Sequence, residues 1–150
     1  MRFIVSVVEK AQVEIPKKQI KRGINKWLLV YMGISKSDCE NNKGIDYKKI
    51  ISKLLNTKFF VDPKTDKISL SVKDIGGEIL LISNFTLYGR NKKGNKLDFS
   101  LAWDYQKSLE IYNTLVENLS KDIVVKTWEF GEFMIVKNEN LGPLNYILEF

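Results

Sequence analysis

Two spacings of apolar residues alternate along this chain. Residues 2–8 (RFIVSVV) and 12–15 are rich in β-branched side chains and predict two short strands. Segment 27–34 (WLLVYMGI) is an apolar run of strand length, which predicts a central strand covered on both faces. Residues 35–44 are polar and read as a loop. From Asp46 the period changes: Tyr47, Ile50, Ile51, Leu54 and Leu55 recur at helical intervals, with Lys48, Lys49 and Lys53 opposite. Asp46 stands where an N-cap belongs, so an amphipathic helix is expected, ending near Thr57.

Residues 59–61 are apolar and short, and 62–66 (DPKTD) carry turn chemistry. Ile68, Leu70 and Val72 alternate with polar residues, the period of a half-buried strand. Gly76-Gly77 turns the chain into 78–82, a second central strand, and 89–98 (GRNKKGNKLD) reads as a basic loop. A second helix fits 102–119, with Leu109, Tyr112, Val116 and Leu119 on one face. Strands near 123–128 and 132–137 follow, then a turn over 138–143. A closing strand carries Leu144, Tyr146, Leu148 and Phe150 on alternate positions. Strands outnumber helices and several are joined by short turns. The expected class is therefore α/β in the mixed α+β sense: an antiparallel-rich sheet with two main helices packed on it. No Gly-rich turn follows the first strand, which argues against a doubly wound nucleotide fold.

The 150 residues predict a single domain spanning the chain, and 44% hydrophobic with 28% charged residues is the balance of a soluble globular protein. No apolar run approaches the ~18 residues of a membrane span, and MRFIVSVVEK is too short and too soon charged for a signal peptide; the cytoplasm is the expected location. The single Cys39 makes neither an internal disulfide nor a zinc cage, and no role is assigned to it. The histidine count of zero changes the picture most. It excludes a Ser-His-Asp triad, a Cys-His pair and an HExxH zinc helix. Catalysis is left to carboxylates, hydroxyls, lysines, backbone amides or the substrate itself, and neither cofactor nor metal is called for.

The net charge is +6, and the basic residues are almost all lysine, so part of the basicity is discounted. Its distribution says more. Residues 15–37 hold Lys17, Lys18, Lys21, Arg22, Lys26 and Lys36 with no acid among them, and 79–97 hold Arg90, Lys92, Lys93 and Lys96, again with none. Two such stretches would suit a phosphate-facing surface; solvated lysines that keep the chain soluble are an equal reading.

Two segments stand out for chemistry. Ser83-Asn84-Phe85-Thr86-Leu87 follows the apolar strand 78–82, where hydroxyl and amide groups either form a site or bond their own backbone. Asn140-Leu141-Gly142-Pro143-Leu144-Asn145 precedes the last strand, where Gly-Pro ordinarily marks a turn. Taken in order with their spacings, these and four further stretches resemble the D-aminoacyl-tRNA deacylases, also called D-tyrosyl-tRNA deacylases. Trp27 to Ile34 is similar to that family's early buried strand. Lys67-Ile68-Ser69-Leu70-Ser71-Val72 with Gly76-Gly77-Glu78-Ile79-Leu80 resembles its K-(M/L)-N-x-S-V … G-G-E-(I/L)-L run, and residues 83–87 its S-Q-F-T-L signature. Lys93 to Phe99 is similar to its K-G-N-R-P-x-F loop. Phe130-Gly131 with Met134 resembles F-G-x-x-M, and residues 140–145 resemble N-D-G-P-V-T.

The resemblance implies a partly barrel-like sheet and a homodimeric enzyme that hydrolyses the ester joining a D-amino acid, or glycine, to the 3′ end of tRNA. It implies that Ser83, Asn84, Phe85 and Thr86 form the catalytic wall. Gly142 and Pro143 of the partner subunit, joined by a cis bond, would face that wall and exclude L-amino acids sterically, with Met134 and Asn145 on the substrate side. Lys92, Lys93 and Lys96, with the 17–26 cluster, are the candidates for tRNA phosphate contacts; neither membrane nor DNA is an expected partner. A Thr86 alkoxide would need a strong base, and 83–88 contain no carboxylate. An aminoacyl ester carries its own neighbouring 2′-hydroxyl, so the protein need only position the ester and offer backbone N–H groups to the oxyanion, worth about 2.7–4 kcal/mol per donor.

The departures from the family pattern are specific. Asn84 stands for Gln, Asn145 for Thr, Lys96-Leu97 for Arg-Pro and Leu141 for Asp, and Ser6-Val7-Val8 stands where the family has Q-R-V. Two other readings stay open at this level: a tRNA-binding relative that has lost activity, and a deacylase shifted toward a mischarged L-amino acid. Trp27, Trp103 and Trp128 are read as core or interface residues.

Overall fold

The computed structural model describes residues 1–92, 94–102 and 104–150; Lys93 and Trp103, and with them one of the expected phosphate contacts, lie outside the described residues, as do the side chains of Lys17 and Ile20. The first two expected strands are one, β1 (Arg2–Ile15). Glu9 and Lys10, which interrupt the apolar pattern, do not turn the chain. They stay extended because Lys10 meets Glu139 directly across the ladder, 2.6 Å apart, and Glu9 meets Lys26 at 3.5 Å.

Beside β1 run β2 (Ile20–Ile24) and β3 (Trp27–Gly33), both antiparallel to it, then β6 (Glu78–Ser83) and β9 (Val124–Thr127), each parallel to its neighbour. On the other side of β1 lies β10 (Ile135–Glu149), giving the order β10-β1-β3-β6-β9 with β2 paired to β1. The two parallel pairings demand long crossovers. The first contains a short helix α1 (Lys36–Glu40), helix α2 (Tyr47–Asn56) and a hairpin of β4 (Lys58–Asp62) with β5 (Lys67–Ser71). The second contains a two-residue ribbon of β7 (Arg90–Asn91) with β8 (Leu97–Asp98), then α3 (Tyr105–Leu119).

Strand alternation sorts the core into two parts. Leu28, Val30 and Met32 of β3 face the helices and pack with Ile50, Leu54, Tyr112 and Leu115. Leu29, Leu80 and Ile82 face the opposite way, into a second cluster with Val8, Ala11, Val13, Ile24 and Trp128. The sheet curls around that second cluster, with β2 returning beside β6 and β9, so it is nearly closed and barrel-like. The mixed class and the two main helices agree with the expectation, as do the central positions of 27–33 and 78–83.

Three differences have physical causes. The 35–44 loop contains α1, because Ser35 and Asp38 form a reciprocal capping box that the sequence reading passed over. Helix α3 starts at Tyr105 rather than 102, since the Asp104 carboxylate accepts from the Gln106 and Lys107 amides at 2.8 and 3.1 Å. Residues 138–143 are no turn between strands. β10 is continuous from Ile135 to Glu149, because the long β1 offers it an unbroken ladder, and the Gly-Pro segment is accommodated as a bulge.

Candidate functional site

The parallel strands β3 and β6 end side by side, with Met32 opposite Ser83. The Asn84 amide donates to the Met32 carbonyl at 2.8 Å and extends the pairing by one residue. The chain then tightens into a 3₁₀ turn over Phe85–Tyr88. Asn84 caps that turn: its Oδ1 accepts the Thr86 amide at 3.1 Å and also the Thr86 hydroxyl. Carboxyl ends of parallel strands are where open α/β sheets leave a crevice, and one is present here.

The crevice has a volume of about 450 Å³. Ser83, Asn84 and Phe85 form its wall at the strand ends, Tyr105 and Ser108 of α3 close one side, and Met134 the other. The segment between β9 and β10 supplies the rim. Tyr105 donates through its hydroxyl to the Phe130 carbonyl at 3.0 Å, and the next residue, Gly131, has φ +79°. A Cβ on Gly131 would lie 2.5 Å from the Tyr105 ring, so that approach requires glycine. Phe85 and Phe133 stand largely exposed at the mouth, 59% and 82% accessible, and Phe85 meets Phe99 edge-on at 5.2 Å between centroids. Aromatic rings left in water at a cleft mouth suit a flat or apolar ligand.

Four of the expected residues therefore line one cleft: Ser83, Asn84, Phe85 and Met134. Thr86 lies beside it, exposed, with its proton given to an amide oxygen. Gly142 and Pro143 do not line the cleft of the chain that carries them; they are exposed on the β10 bulge, joined by a cis bond. The Asn145 amide oxygen receives Nδ2 of Asn140 at 2.9 Å. Tyr31 and Glu132 also line the cleft and were not singled out from the sequence. Tyr31 reads in sequence only as part of the apolar run 27–34, and Glu132 is far in sequence from 83–88. Among the described residues Glu132 is the only carboxylate in the lining, and Lys18 sits 3.3 Å from it.

The basic stretches are acid-free in sequence but not in space. Lys18 pairs with Glu129 and Glu132, Lys21 with Glu14 and Lys26 with Glu9, all supplied by other strands or loops. Arg22 lies over the Trp128 ring, 5.6 Å from its centroid. Lys92 contacts Asp98 at 2.8 Å and Arg90 the same carboxylate at 3.2 Å; Lys92 foremost, then the amide and hydroxyl of Ser100, and last Arg90 hold Asp98 well below the usual carboxylate range. Lys96 is exposed at the tip of the β7–β8 ribbon and has no ion pair among the described residues.

A crevice at the strand ends, an aromatic mouth, and a Ser-Asn-Phe-Thr turn whose hydroxyl donates to an amide oxygen meet at one place. Comparison with known proteins assigns the class. Residues 4–149 match the family model described as D-Tyr-tRNA(Tyr) deacylase. Proteins named D-aminoacyl-tRNA deacylase are similar over nearly the whole length. That of Thermosipho melanesiensis is 38% identical, with 99% of this chain and 97% of the relative covered. That of Thermodesulfovibrio yellowstonii is 39% identical, with 99% and 98% covered. Among solved structures, a c-Myc DNA unwinding element binding protein superposes with a TM-score of 0.87 at 35% identity, covering 100% of this chain and 99% of the other. A probable eukaryotic D-amino acid tRNA deacylase shares the fold, with a TM-score of 0.83 at 14% identity over 98% and 97%. The chain belongs to the D-Tyr-tRNA(Tyr) deacylase family.

Proposed function

We propose that this protein hydrolyses the ester bond of D-aminoacyl-tRNA, and of glycyl-tRNA mischarged on another tRNA, releasing the amino acid and the tRNA in the cytoplasm. The observation that carries the mechanism is the Thr86 hydroxyl donating to the Asn84 amide oxygen. An amide oxygen is not a general base, and donation to it leaves Thr86 a poor nucleophile. The Phe85 N–H is the first amide of the 3₁₀ turn, so it has no carbonyl of that turn to bond and points to a role at the oxyanion. The neighbouring 2′-hydroxyl of the terminal ribose then assists attack of water on the ester carbonyl. The carbonyl C–O bond to the 3′-oxygen breaks, that oxygen leaves with a proton, and the free carboxylate departs.

Chirality is read in this proposal by main chain. In a homodimer, Gly142 and Pro143 of the partner subunit face Ser83–Thr86 across the cleft mouth and block an L side chain at Cα, while glycine passes. The exposure of both residues on the bulge supports this reading, since neither serves the cleft of its own chain. No cofactor enters the reaction. Lys92 and Lys96, with Lys93 and the 17–26 cluster, lie along the tRNA phosphates.

The test is ester loss from D-tyrosyl-, glycyl- and L-tyrosyl-tRNA under single turnover, with size-exclusion chromatography of the same preparation. Hydrolysis of the D and glycyl esters by a dimer, with the L ester spared, is the expected result. Binding without turnover would make it a tRNA-binding relative, and preferential loss of an L ester would make it a deacylase of shifted specificity. A strict monomer would remove the gate.

A further inference from the structure

β1 and β10 lose step on either side of Val8, and the larger slip lies between Ser6 and Val8. Ser6 pairs with Asn145 and Val8 with Asn140, so a single residue of β1, Val7, lies opposite the four residues 141–144. The surplus chain is anchored and displayed at once. Leu141 and Leu144 are half-buried against the main core, while Gly142 and Pro143 are exposed. Gly142 has φ +111°, and a Cβ there would stand 2.7 Å from the Leu144 amide nitrogen, so the crest cannot carry a side chain without moving. Val7 is 2% exposed and apolar, so the strand opposite offers the bulge no side-chain hydrogen bond.

What spans the neck is a side-chain pair. Asn140 Nδ2 donates to Asn145 Oδ1 at 2.9 Å, between the two residues where ladder pairing stops and resumes. Among the described residues it is the side-chain hydrogen bond that joins one flank of the bulge to the other. We propose that Asn140 and Asn145 act as a clasp: positioning residues that set the pitch of the Gly142–Pro143 edge, and through it the strictness with which D esters are distinguished from L esters. Neither residue need touch the ester for this. The inference rests on the proposed function, because the clasp matters only if that edge is the chiral gate.

The experiment varies Asn140, which no part of the proposed cleft contains. Asn140→Leu keeps bulk and removes the donor, and Asn140→Asp offers an acceptor to the Asn145 amide once that amide turns over. Gly142→Ala serves as the control on the gate itself. Single-turnover hydrolysis of D- and L-tyrosyl-tRNA is measured for all four proteins, with thermal melts to register unfolding. The expected result is a rise of about two- to tenfold in the L rate for Asn140→Leu, the range a single net hydrogen bond supplies. Asn140→Asp should return the L rate to within about twofold of wild type. A wild type whose D/L ratio responds to Gly142→Ala but not to Asn140→Leu overturns the clasp and leaves the gate standing. A ratio that Gly142→Ala also leaves unchanged overturns the gate, and the clasp with it. A ratio that falls only because the D rate falls contradicts a loosened edge.

Discussion

Thr86 gives both its amide and its hydroxyl hydrogen to the same atom, Oδ1 of Asn84. The shorter amide of Asn84 thus fits the Asn-capped 3₁₀ turn, and its carbonyl is consumed in local structure rather than facing a substrate. Replacing Thr86 by Ala removes one of the two hydrogen bonds and, on the proposed mechanism, no nucleophile. The expected loss in single-turnover rate on D-tyrosyl-tRNA is under about tenfold, the size of one net hydrogen bond. A loss of all turnover with tRNA binding intact would restore Thr86 as the nucleophile.

Tyr112 is the one described α3 side chain that hydrogen-bonds into the central sheet. Its hydroxyl donates to the Leu81 carbonyl at 2.8 Å, and burial pushes the phenol far above its ordinary range. Tyr112→Phe leaves that carbonyl without its side-chain donor in the core. The expected cost is about 1–3 kcal/mol in denaturant unfolding, with the D/L rate ratio unchanged. No change in the unfolding midpoint would mean that water reaches Leu81.

Cys39 lies in the core between α1 and α3, 3.7 Å from the Ser108 hydroxyl, and not in the open loop its neighbours suggest. Burial first of all raises its thiol above the ordinary value. The sign follows: the folded chain holds the proton to higher pH than the unfolded one. This contribution to stability is full below the unfolded value of about 8.5 and is lost as pH rises through the folded value. A thiol reagent at pH 8 is expected to label Cys39 only after denaturant is added. Rapid labelling of the native protein would contradict the buried position.

The ion pairs of the basic stretches set a modest expectation for tRNA. Lys18, Lys21, Lys26 and Lys92 already have carboxylate partners, whereas Lys96 has none among the described residues. Lys96→Glu is expected to weaken tRNA binding several-fold and to flatten its salt dependence, while Lys21→Glu does less. Filter binding between 50 and 200 mM salt, about the span over which such contacts are lost, reads both. Equal retention of a duplex DNA of matching length would show that the surface reads phosphate alone.

Much of the architecture was legible because its signals are local. The run 27–34 and the helical spacing from Asp46 report burial directly, and both lie where expected. What escaped needed a partner distant in sequence. Glu9 and Lys10 look like a break in a strand until Glu139 is placed across from Lys10. The Gly-Pro segment looks like a turn until the length of β1 is known. Glu132 and Tyr31 enter the cleft only because β3 and the segment between β9 and β10 converge there, and Lys18, Lys21 and Lys26 of the acid-free basic stretch meet carboxylates that the local sequence cannot see. The wall Ser83-Asn84-Phe85 was readable because a motif stands at the end of a buried strand, which is a local signal again.

The proposal that two copies share one site can be tested directly. Gly142→Ala chains, whose cleft is intact, are co-folded with a tenfold excess of Ser83→Tyr chains, whose cleft is filled but whose bulge is unaltered. Every working cleft then belongs to a Gly142→Ala chain, and nearly all of them face an unaltered bulge from the partner. The account predicts that L-tyrosyl-tRNA hydrolysis per working cleft drops toward the wild-type level while D-tyrosyl-tRNA hydrolysis persists. An L rate per working cleft that stays at the Gly142→Ala homodimer value would contradict it, because each cleft would then be gated by its own chain or by no bulge at all.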